Sequence, residues 1–222
     1  MRWIERFDLF LFDFDGILVD TEPLHYAAYM QLLAQRQIHA DWDFEEFCRE
    51  AHGQREGIKY ALYKRFPQLL EIEPRFEVLA EEKRVLYSKL LAEQRVPLMP
   101  GVKELLARLQ LEDRTHCVVT NSWREHVEMI RERDPLLSRI PHWLTREDYA
   151  HPKPAPDGYQ KAIALYGFPG ARVIGFEDTA KGFQALKQTP ARAVLICPTH
   201  RSHIAECVAL GGQHYTSFEE IE

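Results

Sequence analysis

Four short apolar runs, separated by segments with helical periodicity, constrain the fold of this chain more than any other feature. The runs are rich in Phe, Val and Ile and cover Phe7 to Phe14, His116 to Thr120, Val173 to Phe176 and Ala193 to Cys197. Apolar runs of this length predict buried strands. Between several of them, apolar residues recur at the i, i+3, i+4, i+7 spacing of an amphipathic helix. This alternation predicts an α/β fold with a doubly wound, Rossmann-like parallel sheet covered by helices on both faces.

One long segment interrupts the alternation. From the end of the first strand to Pro97 the pattern is helical throughout, which predicts an all-α insert of about seventy residues. We therefore assign 1–19 and 98–222 to an α/β core domain and 20–97 to an α-helical cap domain. Insertion after the first strand predicts that the helices lie over the carboxyl ends of the strands, where open α/β sheets bind ligands. The insert would then act as a lid.

Composition and charge exclude several classes of protein. With 45% hydrophobic and 28% charged residues, the chain is typical of globular rather than disordered proteins. Acidic and basic residues are intermixed and the net charge is -6, which argues against a nucleic-acid partner. The amino-terminal MRWIERFDLF lacks a sustained apolar stretch, so we expect neither a signal peptide nor a membrane span. Four widely spaced cysteines without a C-x-x-C pair predict reduced thiols in a cytoplasmic protein, which we expect to be a monomer.

The first predicted strand ends in two carboxylates, Asp13 and Asp15, followed by Gly16. The strand period of two predicts that both side chains project to the same side. Two such carboxylates repel each other unless a cation joins them, and Mg²⁺ suits oxygen ligands while also binding substrate phosphate. One carboxylate could then attack phosphorus while the other transfers protons to the leaving oxygen and from water. The alternative is a solvated Asp-Gly turn at the end of a strand.

Three later segments could complete such a site, although each also has an ordinary structural interpretation. Thr120 and Asn121 end the second strand and could cradle phosphate, or could simply cap the next helix. Lys153, in HPKPAPDGY, could neutralise phosphate and the first carboxylate, or could be a solvated surface charge. Glu177 and Asp178 could complete a metal site, or could favour the dipole of the next helix. The order of the four segments along the chain favours a single phosphoryl-transfer site.

These residues resemble the motifs of the haloacid dehalogenase superfamily, in particular its phosphatase and β-phosphoglucomutase-like branch with an α-helical cap, and the match covers the whole chain. The resemblance implies that Asp13 in DFDGILVD is the nucleophile and Asp15 the acid/base. It also implies that Thr120 binds phosphate and that Lys153 in KPAPD is the family's lysine. An acid at position 15 is found in the family's phosphatases and phosphomutases and is absent from its dehalogenases, so dehalogenation is not expected.

The same resemblance implies a Mg²⁺ site. Its ligands would be Asp13, the backbone carbonyl of Asp15 and Asp178 in FEDT. Glu177 is expected to contact these ligands rather than the metal ion itself, or to reach the ion through a water molecule. The small residue that often precedes the family's lysine motif is replaced by His151 and Pro152, and His151 could either reach the mouth of the site or be a solvated loop residue.

Two residues of the predicted cap are candidates for contacting the substrate and determining substrate specificity. His25, in DTEPLH, matches a histidine of β-phosphoglucomutase-like members, and its alternative is a helix-surface or partly buried histidine. Arg55, in AHGQREG, resembles the family's substrate-facing Gly-x-x-Arg region but falls one place early, and its alternative is a solvated arginine paired with a nearby glutamate. The displaced arginine favours release of phosphate to water over its return to the substrate.

The leading prediction is therefore a Mg²⁺-dependent phosphatase that hydrolyses a small phosphorylated metabolite, a sugar phosphate or similar, through an aspartyl-phosphate on Asp13. The second hypothesis is a sugar phosphomutase of the β-phosphoglucomutase type, in which the phosphoryl group returns to another hydroxyl of the substrate. A third is a metabolite-binding protein that keeps the fold without catalysis. The complete set of acids and the lysine argues against the third hypothesis, because binding alone does not need all of them.

Overall fold

The computed structural model describes residues 2–53 and 57–222. The chain divides into two compact units, one formed by Met1–Asp20 with Val96–Glu222 and the other by Thr21–Arg95. The smaller unit is helical in its described residues. Its helices are α1 (Glu22–Ala34), α2 (Phe44–Gly53), α3 (Gly57–Arg65), α4 (Pro67–Ile72) and α5 (Phe76–Glu93).

The larger unit is built on a six-stranded parallel sheet. Its strands are β1 (Leu9–Phe12), β2 (Thr115–Val119), β3 (His142–Leu144), β4 (Val173–Glu177), β5 (Arg192–Ile196) and β6 (Gln213–Tyr215). The spatial order is β3-β2-β1-β4-β5-β6, and every neighbouring pair is parallel. This order confirms the predicted doubly wound α/β fold. The strand order reverses between β1 and β4, and the carboxyl ends of the strands at such a switch point are where these sheets bind ligands.

Helices connect these parallel strands, as parallel pairing requires. They are α6 (Val102–Leu111), α7 (Arg124–Arg131), α8 (Asp157–Tyr166), α9 (Ala180–Lys187) and α10 (Ile204–Ala209). Short 3-10 helices cover Arg2–Arg6, Leu137–Arg139, Arg146–Asp148 and Phe218–Glu220. No helix among the described residues is both long enough and apolar enough to cross a membrane. All four cysteines are free, buried thiols.

The two faces of the sheet have different cores because side chains alternate along each strand. On one face, Leu9 and Leu11 belong to an apolar cluster that extends into α8 and α9. That cluster includes Cys117, Val119, Tyr159, Ala162, Phe183 and Leu186. On the other face, Phe12 of β1 stacks on Phe176 of β4 with ring centroids 5.2 Å apart, and Trp3 packs edge-on against Phe176. These packed residues hold β1 and β4 side by side at the switch point.

The two edge strands, β3 and β6, are not predicted by the sequence pattern. Each is only three residues long, and neither is a continuous apolar run, because they contain His142, Gln213 and His214. Their extended conformation comes from pairing with the longer strands β2 and β5. An apolar run is therefore a good signal for the central strands and a poor one for edge strands.

A glycine in the middle of β4 allows α9 to approach the sheet closely. A Cβ atom at Gly175 would lie 2.6 Å from both Cδ1 and Cδ2 of the fully buried Leu186. We expect Gly175→Ala to lower the free energy of unfolding by about 1–3 kcal/mol, because extra volume in a packed core forces side chains from their preferred positions. Urea unfolding measures this change, with Lys187→Ala on the exposed surface of α9 as the control. Equal stability of Gly175→Ala and the wild type would contradict this packing.

Candidate active site

A buried ammonium group joins two carboxylates at the switch point of the sheet. Phe12 pairs with Phe176, so the next residues, Asp13 and Glu177, come side by side at the carboxyl ends of β1 and β4. The N–H of Asp13 donates to the carbonyl oxygen of Phe176 at 3.0 Å. The Nζ of Lys153 lies 2.8 Å from Oδ1 of Asp13 and 2.6 Å from Oε1 of Glu177. Lys153 is therefore not the solvated surface charge that a lone lysine in a loop usually is.

Burial and charge shift the pKa values of this cluster. Burial acts to lower the pKa of Lys153, but the negative charges of Asp13 and Glu177 outweigh it and leave that pKa above its ordinary value. Burial acts to raise the pKa of the Glu177 carboxyl above its ordinary value, and the charge of Asp13 adds to the rise, while Lys153 and Tyr159 oppose it. The lysine therefore remains an ammonium at neutral pH, and its charge is directed at Asp13.

The same carboxylates fit a divalent metal ion. Among the described residues, Asp13, Glu177 and Asp178 each offer an oxygen, and these oxygens lie within 4.8 Å of one another. Asp178 is largely buried, and a Cβ at Gly16 would lie only 2.3 Å from its Oδ2, so glycine at position 16 leaves room for this carboxylate. Gly16 also has a positive φ of 75°, which disfavours other residues. A buried group of oxygen ligands with excess negative charge suits a hard cation such as Mg²⁺.

Asp15 has different hydrogen-bond partners from Asp13, although only one residue separates them. The hydroxyl of Ser122 donates to Oδ2 of Asp15, and the hydroxyl of Thr120 lies 3.5 Å from the same oxygen. Asp13 instead contacts the ammonium group of Lys153. An ammonium group only donates hydrogen bonds, whereas a hydroxyl group can both donate and accept them. The two aspartates therefore have environments suited to different chemical tasks.

The loop after β2 is tied to the loop that carries the lysine. The Oδ1 of Asn121 accepts the N–H of Lys153 at 3.1 Å, and the hydroxyl of Tyr149 lies 3.0 Å from the same oxygen. Thr120 accepts the N–H of Ser122 at 2.9 Å and thereby shapes the turn before α7. Through these contacts Asn121 holds the loop that carries Lys153. Its contact with phosphate stays a prediction.

Three hydroxyl-bearing residues of the site are absent from the predicted set of functional residues. Ser122 lies within the predicted phosphate turn, but its bond to Asp15 depends on a partner 107 positions away in sequence. Tyr149 precedes the lysine loop, and Tyr159 follows the apolar pattern of α8, so both look like core residues. The sequence does carry a signal for both tyrosines: a tyrosine in a buried segment usually needs a hydrogen-bond partner for its hydroxyl, which points to a polar group nearby.

Comparison with known proteins places this geometry in a family. A family model described as haloacid dehalogenase-like hydrolase matches residues 10–196, which contain every residue of the cluster described above. The chain belongs to the haloacid dehalogenase-like hydrolase family. The resemblance inferred from its motifs is thus confirmed, and the chain is assigned to a family of enzymes.

Individual relatives of this haloacid dehalogenase-like hydrolase share about a quarter of its residues. Protein CbbY of Rhodobacter capsulatus is 26% identical over 194 residues, covering 83% of each chain. A phosphorylated carbohydrates phosphatase of Thermotoga maritima is 28% identical over 184 residues, covering 80% of this chain and 79% of the relative. A crystal structure of a CbbY mutant from Rhodobacter sphaeroides with xylulose-(1,5)bisphosphate is similar in fold, with a TM-score of 0.74, 24% identity and 96% coverage of each chain.

The sequence prediction also named His25, Arg55 and His151. His25 is on α1 of the smaller unit, where its ring stacks on Tyr87 with centroids 4.2 Å apart and its Nδ1 lies 2.5 Å from Nζ of Lys83. Arg55 lies outside the described residues. The side chain of His151 is 75% exposed and its Nδ1 lies 2.8 Å from Oδ2 of Asp157, as for a solvated loop residue.

Proposed function

We propose that this chain is a Mg²⁺-dependent phosphatase that hydrolyses a small phosphorylated metabolite through an aspartyl-phosphate on Asp13. The observation that supports this proposal most strongly is that two carboxylates close together in sequence have different hydrogen-bond and ion-pair partners. Asp13 contacts the ammonium group of Lys153, whereas Asp15 contacts the hydroxyl of Ser122. Phosphoryl transfer through a covalent intermediate needs one carboxylate as a nucleophile and another as an acid/base.

In the first half-reaction, a carboxylate oxygen of Asp13 attacks phosphorus and the ester bond to the leaving oxygen breaks. Asp15 donates a proton to that oxygen, so the product leaves as an alcohol. In the second half-reaction, Asp15 takes a proton from water, the water oxygen attacks phosphorus, and the bond to Asp13 breaks. Free phosphate and the original carboxylate are regenerated.

Lys153 and the turn after β2 would assist both half-reactions. The ammonium group of Lys153 is fixed by Asp13 and Glu177, so it is already oriented before a phosphate arrives. Thr120 and the backbone N–H groups near Asn121 would hold the other phosphate oxygens. Mg²⁺, held by Asp13, Asp178 and the backbone carbonyl of Asp15, would offset the repulsion between the phosphate and these carboxylates.

The named relatives support a phosphorylated sugar or similar metabolite as substrate. One is a phosphorylated carbohydrates phosphatase, and a structural neighbour was crystallised with xylulose-(1,5)bisphosphate. We propose further that 1–19 with 98–222 form the catalytic core domain and that 20–97 form a cap domain. The buried free thiols support a reducing, cytoplasmic location, and a monomer remains a prediction that size-exclusion chromatography can test.

A panel of phosphorylated metabolites tests the proposed activity. Purified protein is assayed with sugar phosphates, polyol phosphates and an aryl phosphate, in Mg²⁺ and in excess EDTA, with free phosphate and isomerised product both measured. We expect Mg²⁺-dependent release of phosphate from at least one class. Isomerisation of a hexose phosphate faster than phosphate release would instead support the phosphomutase. Absence of turnover, together with absence of Mg²⁺-dependent binding of a fluoride-based phosphate analogue, would support the non-catalytic binding protein.

A further inference from the structure

A buried histidine from the loop after β5 contacts the backbone of Asp178. His203 is 6% exposed, and its Nε2 lies 2.8 Å from the backbone carbonyl oxygen of Asp178. Because a carbonyl oxygen only accepts hydrogen bonds, Nε2 carries a proton and donates it. The two residues are 25 positions apart in sequence. The bond therefore ties the loop after β5 to the loop after β4.

The carbonyl group of Asp178 lies in the short connection between a strand and a helix. β4 ends at Glu177 and α9 begins at Ala180, so Asp178 is outside both elements. The next residue, Thr179, is the N-cap of α9, and its hydroxyl accepts the N–H of Gly182 at 3.2 Å. The hydrogen bond from His203 thus fixes the peptide that joins Asp178 to this cap.

The carboxylate of Asp178 has a narrowly defined place. A Cβ at Gly16 would lie 2.3 Å from its Oδ2 and 2.9 Å from its Cγ, so the carboxylate packs against the backbone of the loop after β1. One of its oxygens also lies within 4.8 Å of oxygens of Asp13 and Glu177. An aspartate side chain has few torsions, and these occupy discrete staggered positions. A displacement of the Asp178 peptide would therefore move the carboxylate with it.

His203 is itself held by a helix that packs on the core of the sheet. It is the N-cap of α10, and its carbonyl oxygen accepts the N–H of Cys207 at 3.1 Å. Cys207 is buried and belongs to the same apolar cluster as Leu9 and Leu11. The Sγ of Cys197, just after β5, lies 3.9 Å from Nε2 of His203. The imidazole is thus presented to Asp178 from a packed part of the core, as a positioning residue requires.

We propose that His203 is a positioning residue that fixes the backbone of Asp178 and thereby sets the affinity for Mg²⁺. The assignment rests on the proposed function in taking Asp178 as a metal ligand. Groups that orient a ligand from behind contribute strongly to metal affinity. Without the donor of His203, the Asp178 peptide would be free to rotate, and its carboxylate would spend less time where it can bind the ion. Chemistry at Asp13 would be unchanged once the metal site is filled.

The direct test is His203→Leu, which removes the donor and keeps much of the side-chain volume. Calorimetric titration of metal-free protein with Mg²⁺, without substrate, is expected to show a dissociation constant raised about 10–100-fold. In assays of phosphate release, the Mg²⁺ concentration that gives half-maximal rate should rise by the same factor. The kcat at saturating Mg²⁺ should stay near that of the wild type. Mg²⁺ affinity equal to that of the wild type would overturn the proposal.

His214→Leu is the matched control. The Nε2 of His214 lies 2.8 Å from the backbone carbonyl oxygen of Cys197. The same kind of hydrogen bond is therefore lost from the same unit, but at a residue that is not a proposed metal ligand. We expect this variant to bind Mg²⁺ as the wild type does. An equal loss of affinity in both leucine variants would show a general effect of lost packing and would overturn the proposal.

Two polar substitutions keep the test decisive if leucine prevents folding. The amide nitrogen of a glutamine can occupy the position of Nε2 of a histidine, whereas that of an asparagine lies closer to the backbone. His203→Gln is therefore expected to bind Mg²⁺ more tightly than His203→Asn. Equal affinity of these two variants would overturn the proposal. If the wild type binds Mg²⁺ but hydrolyses no phosphate ester, the proposed function fails while the calorimetric comparison still decides the role of His203.

Discussion

An Asp13→Asn variant is expected to lose Mg²⁺-dependent phosphate release by at least about 10⁴-fold, the scale seen when a covalent nucleophile is removed. An amide nitrogen or oxygen is a poor nucleophile toward phosphorus, and the substitution also removes the negative charge that faces Lys153 at 2.8 Å. The side chain keeps nearly the same shape, so we expect the fold to survive. Initial rates of phosphate release, with circular dichroism as a check of folding, measure both effects.

Asp8→Asn is the matched control for this substitution. Asp8 lies just before β1 in the same unit, but its carboxylate pairs with Arg172 at 2.8 Å and belongs to no part of the proposed site. We expect its kcat to match the wild type. Full Mg²⁺-dependent activity in Asp13→Asn, or an equal loss in Asp8→Asn, would contradict the role of Asp13.

Lys153→Met is expected to lower kcat by about 10³-fold, which is the effect of removing one fixed electrostatic group from an active site. The same substitution is expected to lower the free energy of unfolding of the metal-free protein by about 3–5 kcal/mol, which is the cost of breaking a buried ion pair. Without the ammonium group, Asp13, Glu177 and Asp178 leave three carboxylates close together and largely buried. Mg²⁺ should restore part of the lost stability, because it binds the folded state and supplies positive charge. Urea unfolding in EDTA and in Mg²⁺ measures both expectations.

Lys161→Met provides the control for Lys153→Met. Lys161 lies on α8, the helix that follows the loop carrying Lys153; it is exposed, and its ammonium group donates to the backbone carbonyl of Asp148. A surface substitution of this kind should change the free energy of unfolding by less than about 0.5 kcal/mol. Equal stability of the two variants in EDTA would show that Lys153 does not compensate the buried carboxylates.

The sequence predicts the central part of this fold well because burial itself leaves a readable pattern. The strands β1, β2, β4 and β5 are apolar runs that lie in the middle of the sheet, where both faces are covered. The edge strands β3 and β6 are short and partly exposed, so their sequences are not required to be apolar. Their pairing depends on neighbours that are distant in the chain.

The candidate site shows the same division between local and long-range signals. Asp13, Lys153 and Asp178 are recognisable because each follows a strand or stands in a distinctive loop, and the order of these segments restricts the interpretation. The bond from Ser122 to Asp15 and the bond from Tyr159 to Glu177 join residues far apart in sequence. Composition and periodicity place a tyrosine in the core but do not identify the acceptor of its hydroxyl.

Trapping of the covalent intermediate tests the central claim most directly. Wild-type protein is mixed with a substrate identified by the panel under single-turnover conditions, quenched with acid at successive times and reduced with borohydride, which converts an aspartyl-phosphate to homoserine. Peptide mass spectrometry then locates the modified residue. We predict homoserine at position 13, formed only with both substrate and Mg²⁺ and absent from Asp13→Asn. Two results would contradict the role of Asp13 as nucleophile: release of phosphate with no homoserine at position 13 at any quench time, or release of phosphate with the reduced residue at another position.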